Sequence, residues 1–161
     1  MRSGTLAVPL LVGFGAAAAI QAADAPAEGQ RLAALRDDLG RRLGQAEAHH
    51  VFGPPAGPAR HPGNLNLAFD AVRSEALMVA LDDVVAVSSG AACSSASIEP
   101  SYVLRAMGVD RERAAGSLRF GLGRGTSASD VERVAAAVLS AVDALRKRSP
   151  EWRRRGEARD W

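Results

Sequence analysis

Between residues 27 and 47, Leu32, Leu35, Leu39 and Leu43 recur three or four positions apart, the spacing that lines one face of an α-helix. A helix written this way carries a single apolar stripe and needs another surface to cover it. Further along, Val131, Val134, Ala135, Val138, Val142 and Leu145 form a second stripe of the same kind. Between the two lies "NLNLAF", residues 64–69, whose apolar residues alternate as in a half-buried strand. Striped helices and an alternating strand require each other. They predict helices packed on a small sheet.

The remaining stretches fit that plan. Residues 8–24 are alanine-rich and apolar all round, which predicts a buried helix ahead of the first stripe. "HHVFGPPAGPARHPG" holds Pro54, Pro55, Pro58 and Pro62 and reads as loop, with His49 and His50 in a solvated turn. "SEALMVALDD" predicts a short helix capped by Ser74, with Leu77, Ala80 and Leu81 inward. "VVAVS" predicts a buried strand and "SLRFGLG", residues 117–123, another. Between them "PSYVLRAMG" reads as a helix opened by Pro100 and stopped by Gly108. Ser129 and Glu132 have the spacing of a capping box for the last long helix. The order of elements, in a chain of 161 residues, predicts one compact α/β or α+β layer domain.

Composition narrows the function classes. Aromatic residues make up 4% of the chain, which leaves no set of stacking platforms for single-stranded nucleic acid. The tail "RKRSPEWRRRGEARDW" mixes acids with its arginines and reads as a solvated helix end rather than a nucleic-acid patch. Of 20 basic residues only Lys147 is lysine. One cysteine and three histidines without close ligand spacing do not make a zinc site. A single cysteine also forms no internal disulfide, so a reducing compartment is expected. Against that, "MRSGTLAVPLLVGFGAAAAIQAADAP" has the outline of a secretory leader, and a secreted helical protein is one alternative reading. Pro9, Gly13 and Gly15 interrupt that run, leaving it too broken and short for a membrane span.

The lone cysteine sits in "VAVSSGAACSSASIEPS". Cys93 is flanked by alanines and serines, with no apolar periodicity to bury it. A thiol so placed suits a nucleophile or carrier better than a core position. Reactivity requires thiolate, hence a lowered pKa or a partner base. The positive end of the helix beginning at Pro100 is one source. His49, His50 and His61 are too distant in sequence to argue a pair.

"SSGAACSSASIEPSYVLRAMG" followed by "SLRFGLGR" resembles the active-cysteine loop and next strand of the cysteine desulfurases, in the branch with a long catalytic loop. "RSGT" at residues 2–5, "NLNLAF" and "ALRKRSPEW" also fit, in order, so the resemblance covers nearly the whole chain. It implies the carboxy-terminal part of a pyridoxal-phosphate transferase of aminotransferase-like fold, working as a homodimer in the cytoplasm. Residues 1–25 would be a helix leading from a large cofactor-binding domain, 26–150 the small domain with its cysteine loop at 85–100, and 151–161 an Arg-rich tail.

In such enzymes sulfur from L-cysteine becomes a persulfide and passes to an acceptor such as an iron–sulfur scaffold, leaving L-alanine. The resemblance assigns the nucleophile to Cys93, the grip on the substrate carboxylate to Arg119, and a contact with the cofactor phosphate of the neighbouring subunit to Thr5. It also places the cofactor lysine, the ring-stacking His and the ring-nitrogen Asp in a large domain ahead of "RSGT". Lys147, between Arg146 and Arg148, has the wrong context for that lysine. Gly121 stands where the family commonly has Ser, and Ala91 replaces a frequent Ser. The expectation is a chain that neither holds pyridoxal phosphate alone nor releases sulfide, with an uncovered first helix that drives association. A non-catalytic interaction or sulfur-relay module is the other alternative.

Overall fold

The sheet is built around "SLRFG". In the computed structural model, which describes residue 4, residues 6–89 and residues 101–157, with side chains as far as Arg155, the described strands form one antiparallel sheet. β1 is His49–Phe52, β2 Asn64–Phe69, β3 Ser88–Ser89 and β4 Leu118–Gly121, in the order β1-β2-β4-β3. β2 and β4 pair with Leu65 opposite Phe120 and Leu67 opposite Leu118. Directly opposed residues share a face, so these four, with Phe69, make the buried inner face.

Two long helices cover that face. α1 spans Val8–Leu43 and α5 spans Ala128–Arg148. Leu32, Leu39 and Leu43 of α1 are buried with Val131, Val134, Ala135, Val138 and Val142 of α5 in one core, with Leu35 and Leu145 packed at its margin. Both stripes thus do what their periodicity predicts. α2, Ser74–Ala80, adds Leu77, and Leu81 follows it into the core. The short helices α3 (Tyr102–Ala106) and α4 (Arg111–Ala115) precede β4, and α6 (Pro150–Glu157) ends the described chain. Gly63, just before β2, has no room for a side chain: a Cβ there would meet the Leu122 carbonyl oxygen at 2.3 Å. The Gly63 carbonyl instead accepts the Leu122 N–H at 2.8 Å. This is the α+β arrangement expected from sequence.

Several local expectations are corrected. Residues 8–24 and the first leucine stripe belong to one continuous helix, with Pro26 inside it. A proline there removes one backbone hydrogen bond, and the loop between β4 and α5 binds the helix on both sides of the gap. Arg31 donates to the carbonyls of Thr126, Gly123 and Arg124 at 2.7, 3.2 and 3.1 Å. Arg124 donates to Asp24 at 3.0 Å and to Gln21 at 3.3 Å. Residues 8–24, whose all-round apolar composition predicts burial, are exposed throughout, the uncovered first helix that the resemblance implies for this chain on its own. Nor is the run broken: α1 is the one helix among the described residues long and apolar enough to cross a membrane, its most apolar window having mean hydropathy 1.5.

The start of the proline-rich stretch is a strand rather than a solvated turn, because β2 offers it an edge. His49 lies opposite Phe69 and His50 opposite Ala68. A ring nitrogen of His49 shares a hydrogen bond with the Ala46 carbonyl at 2.9 Å. "VVAVS" contributes only its last residue to a strand, β3. Ser74 is the first helical residue of α2, and its hydroxyl donates to the Ala115 carbonyl at 2.7 Å instead of capping. The capping box of α5 is Ser127 with Asp130, two residues ahead of the expected pair.

At the opposite end of the sheet, Arg146 of α5 is buried. It donates to the carbonyls of Asp70 and Ala48 at 3.1 and 3.2 Å and stacks 3.8 Å above the Trp152 ring of α6. Ala48 and Ala71 both hold φ near the left-handed region, at 48° and 62°, so this corner carries backbone strain.

Candidate functional site

Alternation along β4 fixes where Arg119 points. Leu118 and Phe120 are buried and Arg119 is exposed, so its side chain leaves the outer face of the sheet. Its cross-strand neighbours are Asn66 on β2 and Ser88 on β3, and Phe52 on β1 lies opposite Asn66. Phe52, Asn66, Arg119 and Ser88 therefore form one row across that face.

The Arg119 guanidinium has no ion pair or hydrogen bond among the described residues. Most other arginines around the domain are engaged. Arg31 is paired with Glu28, Arg36 with Asp37, Arg42 with Asp38 and Glu132, and Arg155 with Asp70. A planar, permanently charged fork left open on a sheet face is suited to a carboxylate or phosphate. Beside it the Asn66 side-chain oxygen is buried and has no hydrogen-bond partner among the described residues.

Cys93 and Thr5 lie outside the described residues. What can be placed is the start of the segment that bears the cysteine. Ser88 and Ser89 pair with Arg119 and Leu118, and Cys93 follows Ser89 by four positions. β3 thus begins that segment alongside Arg119. Its far end returns at Ser101, before α3.

The residues present do not complete a pyridoxal-phosphate site. An aldehyde cofactor needs an amine, and the chain's only lysine is Lys147. Lys147 is on the last turn of α5, ion-paired with Asp143 at 2.6 Å, and lines a shallow cleft with Trp152 and Glu47. Arg119 lines no part of that cleft. Among the described residues no group of three or more His, Cys, Asp or Glu could hold a metal ion.

Two further clefts flank the sheet, and neither includes Arg119. One, of about 210 Å³, lies between α1, the end of β4 and α5, and is lined by Leu39, Phe120, Thr126 and Arg133 among others. The second, of about 480 Å³, is charged and centres on Asp70, Arg73, Arg113, Glu151 and Arg155. Here Asp70 accepts a hydrogen bond from Arg155 at 2.6 Å and shares one with His50 at 2.8 Å. Burial pushes its carboxyl up, but Arg155 and His50 outweigh that and hold it below the usual carboxylate range. Burial, with Glu112 beside it, pushes Glu151 up.

The sequence singles out Arg119, and the structure adds Asn66 beside it and the Asp70 cluster as polar features that the sequence reading left out. The alternation of "NLNLAF" already puts Asn66 on the face away from the leucines. Nothing local marks Asp70, whose partners come from distant elements.

Known proteins resemble the chain along most of its length. It is 52% identical over 152 residues to "Cysteine desulfurase IscS" of Ectopseudomonas mendocina (strain ymp), covering 94% of this chain and 37% of that protein. The protein of the same name from Anaeromyxobacter sp. (strain Fw109-5) is 51% identical, with 92% and 36% covered. The chain thus spans little more than a third of the length of these relatives. Among solved structures, a NifS-like protein from Rickettsia africae ESF-5 superposes with TM-score 0.76 at 25% identity, over 88% of this chain and 36% of that one. DndA from Streptomyces lividans superposes with TM-score 0.54 at 36% identity, over 74% of this chain and 33% of that one. The family model for aminotransferase class-V matches residues 1–134. That match takes in α1, the whole described sheet and the first turns of α5, so the chain belongs to the aminotransferase class-V family.

Proposed function

We propose that the chain is the sulfur-carrying part of a cysteine desulfurase. In this reading Cys93 takes the sulfur of L-cysteine as a persulfide, the carbon–sulfur bond of the substrate breaks, and the carbon skeleton leaves, after protonation, as L-alanine. Arg119 holds the substrate carboxylate, and Thr5 reaches the phosphate of pyridoxal phosphate in a homodimer. The persulfide then passes to an iron–sulfur scaffold or another sulfur acceptor in the cytoplasm. Residues 1–25 lead in from a cofactor domain, 26–150 form the small domain and 151–161 its tail.

The observation that carries this reading is the guanidinium of Arg119, unpaired among the described residues, beside the strand from which the Cys93 segment departs. Similarity to cysteine desulfurases over 94% of the chain supports it. Because Lys147 is the only lysine and is engaged elsewhere, the chain by itself neither binds the cofactor covalently nor turns over cysteine.

The test has two arms. Offered a small-molecule persulfide, the purified chain should gain one sulfur atom at Cys93 by mass spectrometry, and Cys93→Ser should not. Mixed with pyridoxal phosphate and L-cysteine, the chain should show no bound visible cofactor band and form no alanine. A cysteine-bleached band refutes the inactivity of the isolated chain. Failure of Cys93 to accept sulfur refutes its carrier role.

A further inference from the structure

Two polar groups without partners among the described residues stand next to each other in the outer row. Among the described residues the buried side-chain oxygen of Asn66 accepts no hydrogen bond, and Arg119, directly opposite in the β2–β4 register, has donors to spare. Opposed residues in an antiparallel pair hold their Cβ atoms about 4.5–5.5 Å apart, within reach of an Asn carboxamide and an Arg side chain. A buried acceptor left without a donor is disfavoured in a folded protein. It persists here beside a guanidinium whose five N–H groups exceed what one carboxylate can take.

We propose that Asn66 is a positioning residue for Arg119: its side-chain oxygen accepts one guanidinium N–H when a carboxylate is bound, fixing the plane of the fork so that the remaining edge meets both carboxylate oxygens. The inference rests on the reading of Arg119 as the group that holds the substrate carboxylate, and it names a second residue of that subsite. The chemistry selects a planar monoanion such as an amino-acid carboxylate. Phe52 is the neighbour of Asn66 on the other side of the row. Replacing the carboxamide by a carboxylate would hand Arg119 an internal ion pair and remove it from the ligand.

The test is a titration of the full chain with L-alanine, followed by NMR of the Arg119 side-chain N–H and the Asn66 amide group, with ethylamine as the ligand lacking a carboxylate. In the unaltered chain both signals should move together with L-alanine and stay still with ethylamine. Asn66→Ala should weaken binding by about five- to tenfold without lowering the melting temperature, since it removes an unsatisfied buried atom. Asn66→Asp should abolish binding while the domain stays folded, which separates positioning from a structural role. If Asn66→Ala and Asn66→Asp bind as the unaltered chain does while Arg119→Ala does not bind, the Asn66 inference falls and the Arg119 reading stands. If Arg119→Ala binds normally, or the unaltered chain shows no carboxylate-dependent shift, both fall.

Discussion

The two halves of α1 are made of the same backbone and meet opposite surroundings. From residue 28 onward the helix presents Leu32, Leu39 and Leu43 to the sheet and α5, and these are 7%, 3% and 0% exposed. Before Pro26 it presents Leu10, Leu11, Val12 and Phe14 to nothing in the described structure, at 74%, 53%, 67% and 77% exposed. The covered half has a stripe and a charged back. The bare half is apolar on every side, the composition of a helix that is enclosed by its neighbours. Periodicity thus reports which side of a helix is covered within a domain. All-round apolarity reports that a cover is needed without saying which chain provides it.

The largest effect should come from breaking the covered half. Leu43→Ala should cost about 2–5 kcal/mol of unfolding free energy, whereas Leu11→Ala on the bare half should change it by no more than about 0.5 kcal/mol. Denaturant titration of the two variants measures both, and equal losses would erase the distinction. Next comes Asp70, which belongs to the packed part through Arg155 and His50. Asp70→Asn should cost about 1–3 kcal/mol near neutral pH.

The pH dependence carries a sign. Its carboxyl is held below the ordinary value in the folded state, so its contribution is complete above the unfolded value, about 3.9. That contribution is lost as pH falls through the lower folded value. Stability against pH should therefore fall less steeply below about pH 4 in Asp70→Asn than in the unaltered chain.

On the bare half, Leu10→Gln with Phe14→Gln should weaken self-association in sedimentation by about tenfold or more and leave unfolding unchanged. Unaltered association would place the sticky surface elsewhere. The smallest effect is local. Arg31→Ala removes the donor that holds the β4–α5 loop against α1, and amides near Pro26 should exchange faster with solvent while those of α5 keep their protection.

Strong periodicity carried most of the fold into view before any coordinates. The stripes on α1 and α5, and the alternation in β2 and β4, each describe contacts that repeat along one element. Features set by a single long-range partner were hidden. β1 forms because β2 offers it an edge, and its proline-rich sequel masks it. Ser127 and Ser129 both stand three residues before an acid, and only the backbone entry angle selects the first. Pro26 breaks a local rule that the Arg31 and Arg124 contacts offset. Arg119 was accessible as a motif residue, and its outward aim follows from Leu118 and Phe120. Asn66 took a fold to reveal, because an absent hydrogen bond leaves no trace in a sequence.

Arg146 ties places that are far apart along the polypeptide. It joins the strained corner at Ala48 to the aromatic face of Trp152, with 98 positions between Arg146 and Ala48. Shortening the molecule ahead of Trp152 would strip one wall from a sequestered cation and let water reach the first hairpin. The start of α6 thereby acts as a latch on the entry to β1.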